Sequence, residues 1–292
     1  MVRELELVLD IKATLGEGPC WDSKKQLLYW VDILEKRVYI FNPRTNENRC
    51  IQLNHYVGAI VPRNSGGAVL ALEKGFYFLD TQTETLSLID EPEKHIVNNR
   101  FNDGKCDANG RFWAGTMDKS YHKEQGALYC LNTNLAVKKQ LSKVGLSNGL
   151  AWSPDNKFFY YIDTLTRKVV CFDFHLSTGE IENPREIIYF PEEEGMPDGM
   201  TIDEDGMLWI AHWGGSKVSR WNPKTGEQLT AIEVPALNVT SCTFGGKDLD
   251  ELYITTARSG LNEDQLKEYP YSGGLFKIKT DVKGVQAYPF KG

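Results

Sequence analysis

The sequence has no cluster of lysine and arginine residues, although 33 of its 292 residues are basic. Acidic residues number 40, so the formal net charge is −7 and the pI is about 5.4. A protein that holds a nucleic-acid backbone needs a concentrated positive surface, because phosphate contacts supply much of the affinity. The composition therefore argues against nucleic acid as a partner.

Long hydrophobic runs are also missing from the sequence. The longest apolar stretches have the length of a single strand, well short of the ~20 residues that a helix needs to cross a bilayer. Residues 1–6 alternate charged and apolar side chains and contain no apolar core of a signal peptide. We therefore expect a cytoplasmic protein that does not associate with a membrane.

Paired cysteines are absent as well. Six cysteines are scattered singly, with no C-x-x-C pair and no histidine at ligand spacing beside them. They are Cys20, Cys50, Cys106, Cys130, Cys171 and Cys242. In a cytosolic protein this pattern predicts buried free thiols and no disulfides.

What the sequence does contain is one short phrase that recurs six times. The copies lie 41 to 50 residues apart and open at Glu17, Gly58, Asn102, Asn148, Asp198 and Ser241. Each opening is followed about ten residues later by an apolar, often aromatic run, such as Leu28–Asp32 or Phe158–Asp163. This period is typical of folds in which one small unit buries its apolar face by stacking on its neighbours.

Within each unit, short strands alternate with turns. The segments Asp107–Gly110, Trp152–Asn156 and Asp203–Gly206 contain the Asn-Gly, Pro-Asp and Asp-Gly steps of tight hairpins. Six such units without amphipathic helices predict an all-β fold, a six-bladed β-propeller, which removes exposed sheet edges by radial repetition. We expect residues 1–292 to form one propeller domain, with Glu4–Leu9 completing the last blade.

The first strand of each blade lines the central channel of a propeller, so residues at one phase of the repeat face a common axis. Four of the six copies place a carboxylate or an amide there, namely Glu17, Asn102, Asn148 and Asp198. Each alone would be interpreted as a turn former, but together they form a buried cluster that needs a cation. Oxygen donors without histidine or cysteine favour Ca²⁺, Mg²⁺ or Mn²⁺, and so few donors leave positions open for water and substrate. The phase therefore predicts a catalytic metal centre.

Six longer phrases occur in a characteristic order along the chain. They are Gly16–Pro19, Asn99–Lys105, Ala114–Met117, Gly126–Tyr129, Ser147–Asp155 and Pro197–Met200. These phrases resemble the SMP-30/gluconolactonase family, which includes regucalcin and the luciferin-regenerating enzymes, over nearly the whole chain. The resemblance implies a six-bladed propeller that hydrolyses sugar lactones with one divalent metal ion in the central channel.

The resemblance also implies roles for individual residues. Glu17, Asn148 and Asp198 look like the metal ligands of the family, and Arg100 and Asn102 look like its substrate-binding pair. The expected ion is Ca²⁺, with Mg²⁺, Mn²⁺ or Zn²⁺ as alternatives. As a hypothesis, the metal polarises the lactone carbonyl while Asp198 acts as general base toward the attacking water. A carboxylate on a dication is a weak base, so water activated by the metal stays open as the nucleophile.

One family contact departs from its pattern in this sequence. Some members carry an acidic residue three or four positions after the Gly-Thr-Met phrase, where it helps to hold the sugar. Here Met117 is followed by Asp118, Lys119, Ser120 and Tyr121. The identity of the sugar is therefore left open, and we expect it to depend on the loops Thr116–Gly126 and Gly260–Gly273.

Three further residues receive mainly structural interpretations. His212 lies in a strand run and is expected to pack in the core instead of transferring protons. Cys242 lies near the hub but has no partner base, which favours a buried thiol. Trp213 follows the same strand run and is a candidate for stacking on a sugar ring.

The leading hypothesis from the sequence is a metal-dependent lactonase. A phosphotriesterase-like hydrolase is the alternative among enzymes, since the same groups would activate water toward phosphorus. A calcium-binding regulatory propeller without turnover is the alternative from another class. A plain interaction scaffold is disfavoured, because its channel would need no polar cluster. The oligomeric state is left open.

Overall fold

The computed structural model describes residues 4–292, which contain 24 strands in six antiparallel sheets of four. The sheets are the blades of a six-bladed β-propeller, which confirms the fold predicted from the repeat. The first twelve strands are β1 (Glu6–Leu9), β2 (Gly16–Asp22), β3 (Leu27–Asp32), β4 (Arg37–Asn42), β5 (Glu47–Gln52), β6 (Val57–Pro62), β7 (Ala68–Leu72), β8 (Phe76–Asp80), β9 (Thr85–Asp90), β10 (Asn99–Cys106), β11 (Phe112–Asp118) and β12 (Gly126–Leu131). The second twelve are β13 (Val137–Val144), β14 (Ser147–Trp152), β15 (Phe158–Asp163), β16 (Lys168–His175), β17 (Glu180–Tyr189), β18 (Met196–Ile202), β19 (Leu208–Trp213), β20 (Lys217–Asn222), β21 (Glu227–Glu233), β22 (Asn238–Gly245), β23 (Glu251–Ala257) and β24 (Leu275–Lys279).

Blades 1 to 5 each use four consecutive strands, beginning with β2, β6, β10, β14 and β18. Blade 6 combines β22, β23 and β24 with β1 from the other end of the chain. A short helix, α1 (Glu263–Glu268), lies between β23 and β24, and Asn262 and Gln265 form a capping box at its start. Among the described residues, no helix has both the length and the apolar character to cross a membrane.

Burial decreases from the inner to the outer strand of a blade. Every residue of β6 and β14 is buried, whereas the outermost strands β5 and β9 each expose four of their six residues. An inner strand is covered by the channel walls and by both neighbouring blades, while an outer strand has one edge in solvent. The inner strands therefore hold the residues that can meet at the axis.

The hydrophobic core consists of six clusters, one between each pair of neighbouring blades. Between blades 3 and 4, for example, Trp113 contacts Trp152 with ring centroids 5.8 Å apart. Between blades 6 and 1, Trp21 stacks on Tyr253 at 5.7 Å. Each blade therefore buries its two faces on its neighbours, as a closed ring requires.

The ring is closed by strands from opposite ends of the chain. β1 pairs antiparallel with β24, and Leu7 lies opposite Phe276 in this ladder. The predicted closure by Glu4–Leu9 is confirmed, with the strand itself beginning at Glu6. Lys277 also lies 3.6 Å from the Glu6 carboxylate, which adds a partly exposed ion pair to the ladder.

All six cysteines are free, as predicted, but one of them is not buried. Cys50 is exposed because it lies on β5, the outer strand of blade 1, where its neighbour Ile51 takes the inward position. The expectation of six buried thiols is wrong at this residue. Strand alternation alone decides which of the two side chains faces solvent.

The C-terminal segment, residues 281–292, crosses the far end of the central channel. The backbone N–H of Val285 donates to the carbonyl of Ile202 in blade 5 (3.1 Å), and that of Phe290 donates to Pro62 in blade 2 (2.9 Å). Blades 2 and 5 face each other across a ring of six, so the segment spans a diameter. It encloses a small cavity of about 10 Å³ between itself and the inner strands.

We predict that Phe290→Ala destabilises the whole propeller. The Phe290 side chain is fully buried between blades 2 and 3, and large-to-small changes of this kind cost about 3–5 kcal/mol. Urea denaturation measures the change in the free energy of unfolding. Tyr189→Ala, at a side chain that is 61% exposed, is the matched control and should cost less than about 0.5 kcal/mol. Equal denaturation midpoints for the two variants would show that the segment is only loosely attached.

Candidate active site

An open cavity of about 390 Å³ lies over the channel on the side opposite the C-terminal segment. All five residues selected from the sequence line it, although they come from four different blades. They are Glu17, Arg100, Asn102, Asn148 and Asp198. Each is at most 5% exposed, so the five side chains form a largely buried polar floor.

A β-bulge occurs at the same phase of every inner strand. The register of the ladder shifts just after Glu17, Asn148 and Pro197, for example. The same shift occurs in the other three blades. A bulge interrupts the two-residue alternation of a strand and re-aims a side chain. The repeated bulge therefore turns the hub residues toward the axis.

Two aspartates, the buried Asp32 and the half-buried Asp163, hold the loops at the mouth of the cavity. Asp32 accepts hydrogen bonds from the backbone N–H of Thr14 (2.8 Å) and Leu15 (3.0 Å). Asp163 accepts one from the backbone N–H of Leu146 at 2.9 Å. Because Leu15 and Leu146 line the cavity, these two carboxylates fix the shape of its entrance.

A continuous chain of hydrogen bonds crosses the cavity floor. Arg100 Nη1 donates to Asn102 Oδ1 (2.7 Å), and Asn102 Nδ2 donates to Asn148 Oδ1 (3.1 Å). Asn148 Nδ2 donates to Thr164 Oγ1 (2.9 Å), which in turn donates to the carbonyl of Pro197 (2.8 Å). Thr164 was not selected from the sequence, because a threonine after a strand carries no signal of its own. The chain fixes the orientation of both amide side chains, those of Asn102 and Asn148.

Glu17 and Asp198 form the acidic part of the floor. Burial raises the pKa of Glu17 well above its ordinary value, and the nearby charges of Asp198 and Asp103 raise it further. Burial likewise raises the pKa of Asp198, with a further contribution from Asp103. Asp198 Oδ1 is buried and has no hydrogen-bond partner among the described residues. Two desolvated carboxylates with an unpartnered oxygen create a strong demand for positive charge.

The donor set fits a hard divalent cation. Two carboxylates and the amide oxygen of Asn148 offer oxygen ligands only, which suits Ca²⁺, Mg²⁺ or Mn²⁺. No group of three His, Cys, Asp or Glu side chains in residues 4–292 is arranged to hold a metal ion. The candidate centre therefore depends on an amide as its third ligand.

The hub contains a third carboxylate that was not selected from the sequence. Asp103 follows Asn102 in the same phrase, but it lines the small cavity near the C-terminal segment, together with Lys105 and Ser241. Burial raises the pKa of Asp103, and the neighbouring Lys105 ammonium opposes that shift. Asn102 and Asp103 are adjacent in sequence, but their side chains line different cavities. The phase of the repeat selected Asn102 and gave no means of predicting Asp103.

Gly58 and Cys242 have structural roles near the channel, whereas Trp213 lines the cavity. A Cβ atom on Gly58 would lie 2.3 Å from the carbonyl oxygen of Asn102, so only glycine fits beside this site residue. Burial raises the pKa of the Cys242 thiol to about 12, as expected for an inert buried cysteine. Trp213 does line the main cavity, where its ring is available to a ligand.

His212 lies in the core and not on the cavity wall. Its Nδ1 contacts the carbonyl of Glu194 at 2.6 Å, and its Nε2 contacts Ser219 Oγ. Since a carbonyl oxygen can only accept, Nδ1 carries the proton. Burial lowers the pKa of His212 to about 4, which keeps the imidazole neutral. These contacts agree with the structural role predicted for this histidine.

Comparison with known proteins identifies the family. Residues 15–258 match the model of the SMP-30/Gluconolactonase/LRE-like region. The sequence is 40% identical over 286 residues to a protein of Bacillus subtilis (strain 168) that is provisionally named sugar lactone lactonase YvrE, with 98% of each chain covered. It is 41% identical over 295 residues to regucalcin of Oryctolagus cuniculus, with 99% of each chain covered. The chain belongs to the SMP-30/gluconolactonase family.

Solved structures show the same relationship. A luciferin-regenerating enzyme superposes with a TM-score of 0.94 at 34% identity, covering 99% of this chain and 100% of the other. A calcium-binding protein, regucalcin from Agrobacterium tumefaciens str. C58, also gives a TM-score of 0.94, at 26% identity and with 99% and 97% coverage. Names within the family thus refer both to lactonases and to calcium binding.

The lowered pKa of His212 predicts a pH dependence of stability. Between pH 6.5 and about 4 the unfolded chain binds a proton that the folded chain excludes, so this histidine reduces stability as the pH falls. The advantage of wild type over His212→Gln in the free energy of unfolding should therefore shrink by at most about 1.4 kcal/mol per pH unit in that range. Urea denaturation between pH 7 and 4 measures it. His95→Gln, at an exposed histidine, is the control. A pH-independent difference would mean that the pKa of His212 is the same in the folded and the unfolded chain.

Proposed function

We propose that this protein is a divalent-cation-dependent lactonase that opens sugar lactones of the aldonolactone type. One observation carries the proposal: Glu17 and Asp198 are buried together, with an unpartnered oxygen on Asp198, at the floor of an open cavity. The two carboxylates would balance the charge of a cation bound there, and the other side of the cation would face the open cavity. The provisional lactonase name of the Bacillus relative supports the reaction class.

Glu17, Asn148 and Asp198 are the residues proposed to hold the cation, with Ca²⁺ as the first choice. When bound, it would supply Lewis-acid chemistry to the carbonyl oxygen of a lactone. The regucalcin structure described as calcium-binding supports this choice of ion. The family match alone does not distinguish Ca²⁺ from Mg²⁺, Mn²⁺ or Zn²⁺.

The polar chain on the cavity floor positions the substrate in this proposal. Arg100 Nη1 already bonds Asn102 and the carbonyl of Phe101, which fixes the guanidinium plane. Its other N–H groups have no partner among the described residues and are available to ring hydroxyls or to the carbonyl oxygen. Holding the lactone in one orientation lowers the entropic cost of reaching the reactive geometry.

Asp198 is the proposed proton acceptor. Water adds to the lactone carbonyl carbon and gives up a proton to the Asp198 carboxylate, and the ring C–O bond then breaks. The ring oxygen leaves as an alkoxide and takes that proton, so a hydroxy acid is released and the carboxylate is regenerated. The carboxylate has two oxygens, which allows it to remain near the cation and still accept a proton.

Calcium binding without turnover is the second candidate function. The regucalcin relatives and the calcium-binding structure favour it, because their names refer to calcium or to its regulation. The same three residues would hold the ion in both cases. The two functions differ in whether the open face of the cavity accepts a lactone.

We expect Asp198→Asn to lower kcat for D-gluconolactone by about 10²- to 10⁴-fold, because loss of a general base typically has this effect. The amide keeps the shape of the side chain but cannot accept the proton. A pH-indicator assay measures turnover, and calorimetry with the cation shows whether the ion is still bound. Ser241→Ala, at a hub residue outside the main cavity, should change kcat by less than about twofold. More than about a tenth of wild-type kcat in a cation-loaded Asp198→Asn protein would exclude general-base catalysis by this residue.

Removal of divalent cations should abolish lactone hydrolysis and lower the thermal stability. A cation at about 100 times its Kd adds roughly 2.7 kcal/mol to the free energy of unfolding, because it binds only the folded state. We would add Ca²⁺, Mg²⁺, Mn²⁺ and Zn²⁺ separately to chelator-treated protein and record both turnover and Tm. A rise in Tm with Ca²⁺ but no hydrolysis of any aldonolactone would select the calcium-binding function. Full turnover in chelator would contradict both candidates.

A further inference from the structure

We infer that the cavity accepts lactones that carry a negative group, a carboxylate or a phosphate, at the end of the molecule remote from the ring carbonyl. This inference rests on the proposed lactonase function and narrows its substrate class. It depends on Lys119, which lines the cavity and has no part in the mechanism described above.

The cavity wall carries both negative and positive side chains. The charged side chains that line it are Glu17, Asp198, Arg100 and Lys119. A divalent cation at the floor neutralises the two carboxylates, and the two groups that remain are both positive. The charges that act on the Arg100 guanidinium include those of Glu17 and Asp198, the same two carboxylates that the cation would neutralise. With the cation bound, a neutral lactone would leave Arg100 without an anionic partner and Lys119 with Glu73 alone.

Lys119 lies beside one carboxylate and a second lysine. Its Nζ lies 2.7 Å from Glu73 Oε1, and Lys74 Nζ lies 4.0 Å from the same oxygen. Two ammonium groups thus share the Glu73 carboxylate, while the charge of Glu93 also acts on Lys74. Lys74 is occupied by the carbonyl oxygens of three backbone groups in residues 96–99, at 2.7 to 2.8 Å. Lys119 has Glu73 as its one hydrogen-bond partner among the described residues and keeps N–H groups for a ligand.

The neighbouring acid cannot oppose this charge. Asp118 precedes Lys119 but does not line the cavity, because its carboxylate accepts hydrogen bonds from Asn98, Ser120 and His122. Tyr56 and Tyr121 add two phenol groups to the wall. An anionic substituent near Lys119 would therefore compete with one carboxylate, that of Glu73, which two ammonium groups share.

Matched substrates test the inference directly. D-Glucono-1,4-lactone and D-glucaro-1,4-lactone differ only at C6, which is a hydroxymethyl group in the first and a carboxylate in the second. We expect kcat/KM to be about tenfold higher for the glucarolactone, in the range of a charge-assisted hydrogen bond. Raising NaCl from about 0.02 to about 0.3 M should reduce this preference, since exposed charge pairs are screened. 6-Phospho-D-glucono-1,5-lactone against D-glucono-1,5-lactone tests in the same way whether a phosphate at C6 is preferred to a hydroxyl group.

Three variants separate Lys119 from general electrostatics. Lys119→Gln should reduce the glucarolactone preference about tenfold, and Glu73→Gln should increase it by freeing the ammonium. Lys123→Gln is the matched control, because Lys123 is an exposed lysine of the same loop that does not line the cavity. Equal kcat/KM values for the two lactones in wild type, or a preference that survives in Lys119→Gln, would overturn the inference.

Binding measurements keep the inference testable if no lactone is hydrolysed. Calorimetry on the Ca²⁺-loaded protein would compare D-glucose, D-glucuronate and D-glucose 6-phosphate, which differ only at C6. Tighter binding of either anion than of glucose, lost in Lys119→Gln, would support anion recognition while the lactonase proposal fails. Equal affinities for all three sugars would overturn the inference independently of turnover.

Discussion

Every blade of this protein buries its faces on its two neighbours, and the rest of the structure depends on that mutual burial. The six hydrophobic clusters lie between blades and not within them, so no blade has a core of its own. Closure by β1 and β24 supplies the last of these interfaces. Residues as distant in sequence as Glu17 and Asp198 meet only because the ring is complete. Formation of the site is therefore a direct consequence of closing the fold.

The same packing makes the acidic floor possible. Glu17, Asp103 and Asp198 are each at most 5% exposed, and burial raises the pKa of all three. A cluster of this kind opposes folding at neutral pH, and the surrounding apolar interfaces must offset the cost. Lys105 and Arg100 compensate part of the charge from either side of the floor. A cation bound at this site would therefore stabilise the folded protein.

The repeat period was sufficient to predict the architecture, because 41 to 50 residues is the length of one blade and the hairpin turns are local. Phase within the repeat was sufficient to bring Glu17, Asn148 and Asp198 to one cavity. The bulges of the inner strands were not predictable from the sequence. The separation of Asp103 and Asn102 into different cavities was therefore missed. Thr164 and the course of the C-terminal segment also escaped prediction, because both depend on partners far away in sequence.

The segment that crosses the channel from blade 5 to blade 2 gives the cavity a single entrance. Ala287 and Tyr288 lie below the inner strands, and the space that they line together with Asp103 and Ser241 is about 10 Å³, too small for a sugar. Whatever reaches the polar floor must leave by the mouth through which it came. Entry of one ligand and release of another therefore use the same opening.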